Sequence, residues 1–346
     1  MSNKIFYQLY NPTGLINQVM SLEIAVGLSA VTKKQLIVHY ISNNGDQLYD
    51  FKKVPIYTPS RWYNDQRKDF TSQDQFPHLA ELLEWNQDLI LLDEKINHFV
   101  QQEQEIDELC FDYYYSDSEN FSEDEIAFAD GRKRLDLSKT VHLKKTLGWY
   151  SRFFYNRSPE LESALSSVKF KKEYYDFAKK ISTSIGSFQG MHLRLSDHVK
   201  MFDTTQKMFE SWLDKFENNN IPILVSTCEP NHKMILENKH RFILLDEYIV
   251  NNFAKEFQEL TFKDEVVFGL ICNLVLHDSI NFVGTSGSTY TAYIHRNRNQ
   301  SGLKETWDFF DNPEKIEANP YSWNNHYLDH GKKMWWREWS ESKLNL

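Results

Sequence analysis

The stretch KIFYQLYNPTGLINQVMSLEIAVGLSAVTKKQLIVHYI, residues 4–41, decides the fold. KIFYQL at 4–9 is an apolar run of strand length, and Asn11-Pro12-Thr13-Gly14 is a turn. From Leu15 to Ala30 the apolar residues Val19, Leu22, Ala25, Val26 and Leu28 recur with helical spacing. QLIVHYI at 35–41 is a second run rich in branched apolar residues. Strand, turn, helix and strand within about forty residues make a βαβ unit, whose crossover helix leaves the two strands parallel. The chain therefore opens as an α/β protein, a parallel sheet with helices on its faces.

The same rhythm returns in the second half. Phe170–Ile185 is predicted as an amphipathic helix with Tyr174, Phe177, Ala178 and Ile181 on one side. A strand follows at Phe188–Leu195, a helix at Thr205–Asn218, and strands at Pro222–Thr227 and Phe242–Leu245. Val266–Leu276 is predicted helical, Ile280–Val283 a strand, and Tyr290–His295 the start of a helix. Between the halves, Leu79–Leu92 is expected to be a helix opening after Pro77. Two such series predict two facing Rossmann-like domains with a cleft between them, residues 1–180 and residues 181–316. The tail 317–346 carries Trp323, Trp335, Trp336 and Trp339 and is expected to pack back on the body, because so much aromatic surface gains by burial.

With 346 residues, 41% hydrophobic and 15% aromatic, the chain has material for two cores and is not a disordered one. No apolar run of about 18 residues is present, so no transmembrane segment is expected. MSNKIFYQLY lacks a charged-then-apolar leader, which makes the cytoplasm the expected compartment. Cys110, Cys228 and Cys272 are too few and too scattered for a disulfide framework or a zinc site. A net charge of -10 argues against nucleic acid as a partner. The acidity is local, however. Residues 101–130 hold eleven acids and neither Lys nor Arg, so the rest of the chain has a net charge of +1. The sign flips at once in residues 131–145, where Arg132, Lys133, Arg134, Lys139, Lys144 and Lys145 face only Asp136. Runs of like charge are solvated segments. Here Phe111, Tyr113, Tyr114, Tyr115 and Phe121 argue for a surface loop that packs a few aromatics or docks on the basic run, with recognition of a basic acceptor as the alternative.

Three segments bear chemistry, each at the C-terminal end of a predicted strand, where open α/β sheets take their ligands. Gly14-Leu15-Ile16-Asn17-Gln18 forms the first strand-to-helix turn and by itself reads as an ordinary loop and helix start. In Gly190-Met191-His192-Leu193-Arg194-Leu195-Ser196-Asp197, His192 and Arg194 are two apart and share one side of a strand. Two cationic groups there need an anion. A pyrophosphate fits the planar guanidinium fork, and a structural carboxylate such as Asp197 fits equally, with His192 then a satisfied core residue. Phe282-Val283-Gly284-Thr285-Ser286-Gly287-Ser288-Thr289-Tyr290-Thr291 is an apolar strand running through a Gly/Ser/Thr loop into a helix. Its unpaired N–H groups and hydroxyls suit an anion, or an ordinary Ser/Thr cap.

Together these segments resemble the GDP-fucose-dependent fucosyltransferases, above all the protein O-fucosyltransferases, with kinship to the α-1,2- and α-1,6-fucosyltransferases. GLINQVMSLEIAVGLSAV (14–31) is similar to the first motif of that family, GMHLRLSD (190–197) to its His-x-Arg-x-x-Asp strand, and FVGTSGSTYTAYIHRNR (282–298) to its third motif. The order and spacing agree across nearly the whole chain, while matched residues are few. The resemblance implies a GT-B fold and an inverting, metal-independent transfer of fucose from GDP-fucose to a hydroxyl of a glycan or protein. It implies that Arg194 binds the β-phosphate and offsets charge on the departing GDP, that His192 lies on the nucleotide, and that Ser288, Thr289 and Tyr290 hold the diphosphate. It further implies that Asn17 reaches the donor from the N-terminal domain and that Asp197 orients the Arg194 loop. No metal or other cofactor is implied, and no Asp-x-Asp triplet is present.

The departures are specific. Some family members carry a Glu base in the first turn, where this chain has Asn11-Pro12-Thr13-Gly14. The family Asp that reads the guanine edge falls near Asn273, which is uncharged. The family's secretory signal and disulfides are not expected from this sequence. Another nucleotide sugar, or a non-catalytic glycan- or nucleotide-binding module, is the alternative reading.

Overall fold

The computed structural model describes residues 4–8, 15–39, 82–84, 90–92, 107–109, 129–130, 133–134, 141–143, 163–164, 167–195, 206–217, 220–261, 265–285, 288–300 and 306–308. The chain divides into two compact units, with described residues up to Lys171 in the first and those from Lys172 onward in the second. The helix Lys172–Ile185 belongs wholly to the second unit. The tryptophan-rich tail lies outside the described residues.

The first unit contains β1 (Lys4–Gln8), α1 (Leu15–Thr32) and β2 (Gln35–His39). These are followed by the short strands β3 (Leu83–Glu84), β4 (Ile90–Leu92), β5 (Asp107–Leu109), β6 (Ala129–Asp130), β7 (Lys133–Arg134), β8 (Val141–Leu143) and β9 (Lys169–Phe170). Five of the strands form one sheet in the order β4-β2-β1-β8-β5, and every neighbouring pair is parallel. The opening βαβ reading is thus realised: α1 buries Val19, Leu22, Ala25 and Val26, as its spacing required.

Two expectations for this unit are corrected. Leu79–Leu92 is not one helix: Leu83–Glu84 pairs antiparallel with β9, and Ile90–Leu92 lies parallel beside β2. An unbroken apolar run such as Leu89–Leu92 has no period of its own, and parallel sheets take such runs as strands. The acidic segment is not loop throughout either. Asp107–Leu109 is the edge strand β5, where acids discourage pairing with a further chain. Ala129–Asp130 pairs antiparallel with Lys133–Arg134, so the end of the acidic run meets the start of the basic one.

The second unit runs α2 (Lys172–Ile185), β10 (Gln189–Leu193), α3 (Gln206–Glu217), β11 (Ile223–Thr227), α4 (Lys233–Asn238), β12 (Ile243–Leu244), α5 (Leu245–Gln258), α6 (Glu265–His277), β13 (Phe282–Gly284), α7 (Thr289–Gln300) and β14 (Thr306–Asp308). Its sheet order is β12-β11-β10-β13-β14, again parallel throughout. The chain builds outward from β10 through β11 to β12, then crosses back to β13 and β14. That is the doubly wound order, and strand order reverses between β10 and β13. On one face Met191, Leu193, Ile223, Val225 and Val283 pack with Phe209, Trp212 and Phe216 of α3 and Met234 and Ile235 of α4. Elsewhere in the unit, ring contacts Phe177–Phe253, Phe177–Phe257 and Phe257–Phe268 join α2, α5 and α6. Gly186 ends α2 at φ 80°, with its N–H on Ser182 O at 3.1 Å, a left-handed cap that a Cβ would strain.

Candidate functional site

The site grows from strand alternation on β10. Met191, Leu193 and Leu195 all enter the core cluster against α3, so the even residues take the opposite side. His192 stands on that side, and the alternation, unbroken through Leu195, puts Arg194 there too. Register aligns three strands in one row: His192 pairs with Ser226 of β11 and with Gly284 of β13. The His192 ring stacks on Tyr290 with centroids 4.4 Å apart, and its Nδ1 hydrogen-bonds Thr291 Oγ1 at 2.8 Å. Gly284 makes room for this: a Cβ there would lie 2.6 Å from Thr291 Oγ1 and closer still to its Cγ2. The first turn of α7 is thereby seated on the row at the switch point.

Thr285 completes the join. Its N–H donates to His192 O at 3.0 Å, and its fully buried hydroxyl accepts the Arg194 N–H at 2.9 Å. The Ser288 N–H donates to Thr285 O at 3.4 Å. Ser288 is fully buried, and its Oγ has no hydrogen-bond partner among the described residues. A hydroxyl left without a partner at the start of a helix is unusual, since such groups cost free energy unless something binds them. Such a hydroxyl, beside the N–H groups that open a helix, is of a kind that can serve an anion.

The expected site residues separate into three groups. His192, Arg194, Ser288 and Tyr290 are brought to adjoining strand and helix ends. Tyr290 does not offer its hydroxyl to a ligand, however: it donates to Gly269 O at 3.0 Å. Burial pushes its phenol well above the usual value, the neighbouring Cys272, Asp246 and Cys228 add to that, and a hydrogen bond with Ser226 opposes it. Tyr290 is therefore a neutral donor and no general base.

Asn273 is also turned inward. It is fully buried, its Nδ2 donates to Tyr290 O at 3.1 Å, and its Oδ1 meets His277 Nε2 at 3.0 Å. The Nδ2 end ties α6 to α7, and the Oδ1 end meets a residue one turn on in α6 itself. Arg298, the last residue of the third motif, is fully buried as well. It donates to His277 O at 3.1 Å, Ser279 Oγ at 2.8 Å, Ile280 O at 3.2 Å and Ser279 O, closing the end of α6. Asp197 lies outside the described residues, as do the side chains of Asn17 and Thr289. The backbone of Asn17 is in the first turn of α1, after β1, which has β2 on one side and β8 on the other. Thr285, Thr291 and Ser226 were missed. The first two stand inside the quoted third motif, where hydroxyl density singled out their neighbours, and Ser226 has no signal beyond ending a strand.

No protein-family model matches the chain, and no curated protein matches its sequence. Among solved structures, the chain is similar to the fucosyltransferase NodZ from Bradyrhizobium, at 13% identity and a TM-score of 0.46, covering 86% of this chain and 93% of that one. It is also similar to NodZ α-1,6-fucosyltransferase soaked with GDP-fucose, at 13% identity and a TM-score of 0.46, over 85% and 92% of the two chains. A third is POFUT1 in complex with GDP-fucose, at 11% identity and a TM-score of 0.44, over 90% and 99%.

Proposed function

We propose that the protein is a glycosyltransferase of GT-B type that moves fucose from GDP-fucose to a hydroxyl of a glycan or protein, with inversion and without a metal. The observation that carries this reading is the join at the switch point of the second sheet. There the strand end bearing Arg194 and the start of α7, with the unpartnered Ser288 hydroxyl, sit on neighbouring strands tied by Arg194 N–H to Thr285 Oγ1. A guanidinium fork beside a helix N-terminus suits a diphosphate. In the reaction an acceptor oxygen bonds to the anomeric carbon as that carbon's bond to the β-phosphate oxygen breaks, the electron pair leaves with GDP, and the hydroxyl proton passes to water. One displacement inverts the anomeric centre. Arg194 and the α7 amides would stabilise the charge growing on GDP, and a loose displacement asks little of a base, in keeping with the absent turn Glu. His192 would lie against the nucleotide, Asp197 would orient the Arg194 loop, Thr289 would add its hydroxyl to the diphosphate, and Asn17 would approach the donor from the first unit.

GDP is expected to raise the melting temperature, and Arg194→Ala to lower turnover by about 10²-fold or more. Slow acceptor-free hydrolysis of GDP-fucose separates an enzyme from a binding module, which releases no GDP. The inward-turned Asn273 favours a second reading, a transferase for another nucleotide sugar. A melting shift with a different nucleoside diphosphate and none with GDP decides for it.

A further inference from the structure

We propose that Thr285 positions Arg194 for the diphosphate, an inference that rests on the assignment of Arg194 to the donor. β10 and β13 pair in parallel from Gly190–Phe282 to His192–Gly284, and Thr285 N–H on His192 O continues that ladder. The following donor on the β10 side is the Arg194 N–H. Among the described residues it meets the Thr285 hydroxyl, at 2.9 Å, while the same hydroxyl lies 3.3 Å from His192 O as its donor. One atom thus accepts from Arg194 and donates to His192, as only a hydroxyl does.

This happens where the sheet opens into the crevice beyond the carboxyl ends of its strands. Without the hydroxyl, a half-buried Arg194 backbone would be left at the fraying end of the ladder with an unmet donor. Thr285 is fully buried, and its branched Cβ restricts χ1, so the hydroxyl is fixed and shielded from bulk water. Errors of about 1 Å in the placement of such a group cost on the order of 10²-fold in rate. The neighbouring docking contact, His192 Nδ1 to Thr291 Oγ1, holds the helix side of the same site, so the two threonines fix the two halves separately.

The test is a double-mutant cycle on the full chain, with GDP affinity read by calorimetry for wild type, Thr285→Val, Thr285→Ser, Arg194→Ala and Thr285→Val with Arg194→Ala. Thr285→Val keeps the shape and is expected to weaken binding about tenfold or more, whereas Thr285→Ser keeps the hydroxyl and stays within about threefold. In the Arg194→Ala background, Thr285→Val is expected to change affinity less than about twofold, since the guanidinium whose placement depends on the hydroxyl is already gone. Equal losses from Thr285→Val with and without Arg194, or no loss at all, would overturn the inference. If Thr285→Val does not fold, Thr285→Ala takes its place in the cycle. A wild type that binds another nucleoside diphosphate but not GDP overturns the donor assignment alone, and the cycle is then run with that nucleotide. A wild type that binds none overturns both.

Discussion

Arg298 gathers four acceptors from the last residues of α6 and the turn after it. Hydrogen bonds from a charged donor are among the stronger ones, and the carbonyls they serve would be left unmet inside the protein. Arg298→Ala is therefore expected to cost about 3 kcal/mol or more, read by urea unfolding, with Arg298→Lys restoring only part, because one ammonium cannot reproduce the fork. Tyr290 supports a second prediction. Its folded phenol titrates above its unfolded one, so the folded state holds the proton longer and stability falls as pH rises past the ordinary phenol range near 10. Tyr290→Phe should therefore lose less melting temperature than wild type between pH 8 and pH 10.5, even if it starts lower for want of the bond to Gly269 O. The burial of Arg298 was legible in part: it follows Thr291 and Ile294 at helical spacing and so shares their buried stripe. Its run of basic neighbours hid this, because charge density reads as solvent or ligand when a helix is viewed only as a string. The inward turn of Asn273 was legible by half: His277 stands four residues on in the same helix, while the Tyr290 carbonyl comes from α7, beyond β13.

At the scale of elements, α7 can approach the sheet only because β13 ends in glycine. Gly284→Ala would set a methyl against Thr291 and the Phe282 ring, and a cost of roughly 1–3 kcal/mol is expected for such overpacking. Adding Thr291→Ala removes both offending Thr291 atoms, so the double variant should be at least as stable as Gly284→Ala alone, although Thr291→Ala by itself loses the bond to His192. A negative coupling of this kind is read from four urea transitions. Elements with a strong period, α1, α2 and α6, were readable to within about two residues at each end, which is the usual latitude of helix boundaries. Those without one were not. Ile90–Leu92 passed for part of a helix, and α5 went unseen because Leu245, Ile249, Phe253 and Phe257 make a narrow stripe among polar residues, directly after a strand of only two residues.

For the whole molecule, the order of strands was beyond the sequence, since register and neighbourhood are set by contacts between distant segments. Two parallel sheets could be inferred from their rhythm, but not that β8 would lie beside β1 or that β13 would lie beside β10. Among the described residues no helix is long and apolar enough to cross a membrane. If the donor is held as proposed, hydrogen exchange with GDP should show protection of residues 190–195 and 284–291, and GDP-fucose should add protection at the first turn of α1, where Asn17 lies. Protection confined to the second unit with both ligands would remove Asn17 from the donor site. The tie between Arg194 and Thr285 also spans 91 positions of chain. Closing such a span is entropically slow, and topologies rich in distant pairings fold late. On a ribosome, the arginine strand emerges long before the threonine that steadies it. Through that interval the nascent protein would have no finished place for the proposed nucleotide, and GDP would not guide its early folding. In refolding from urea, nucleotide binding should return with the last phase rather than with the first gain of helix.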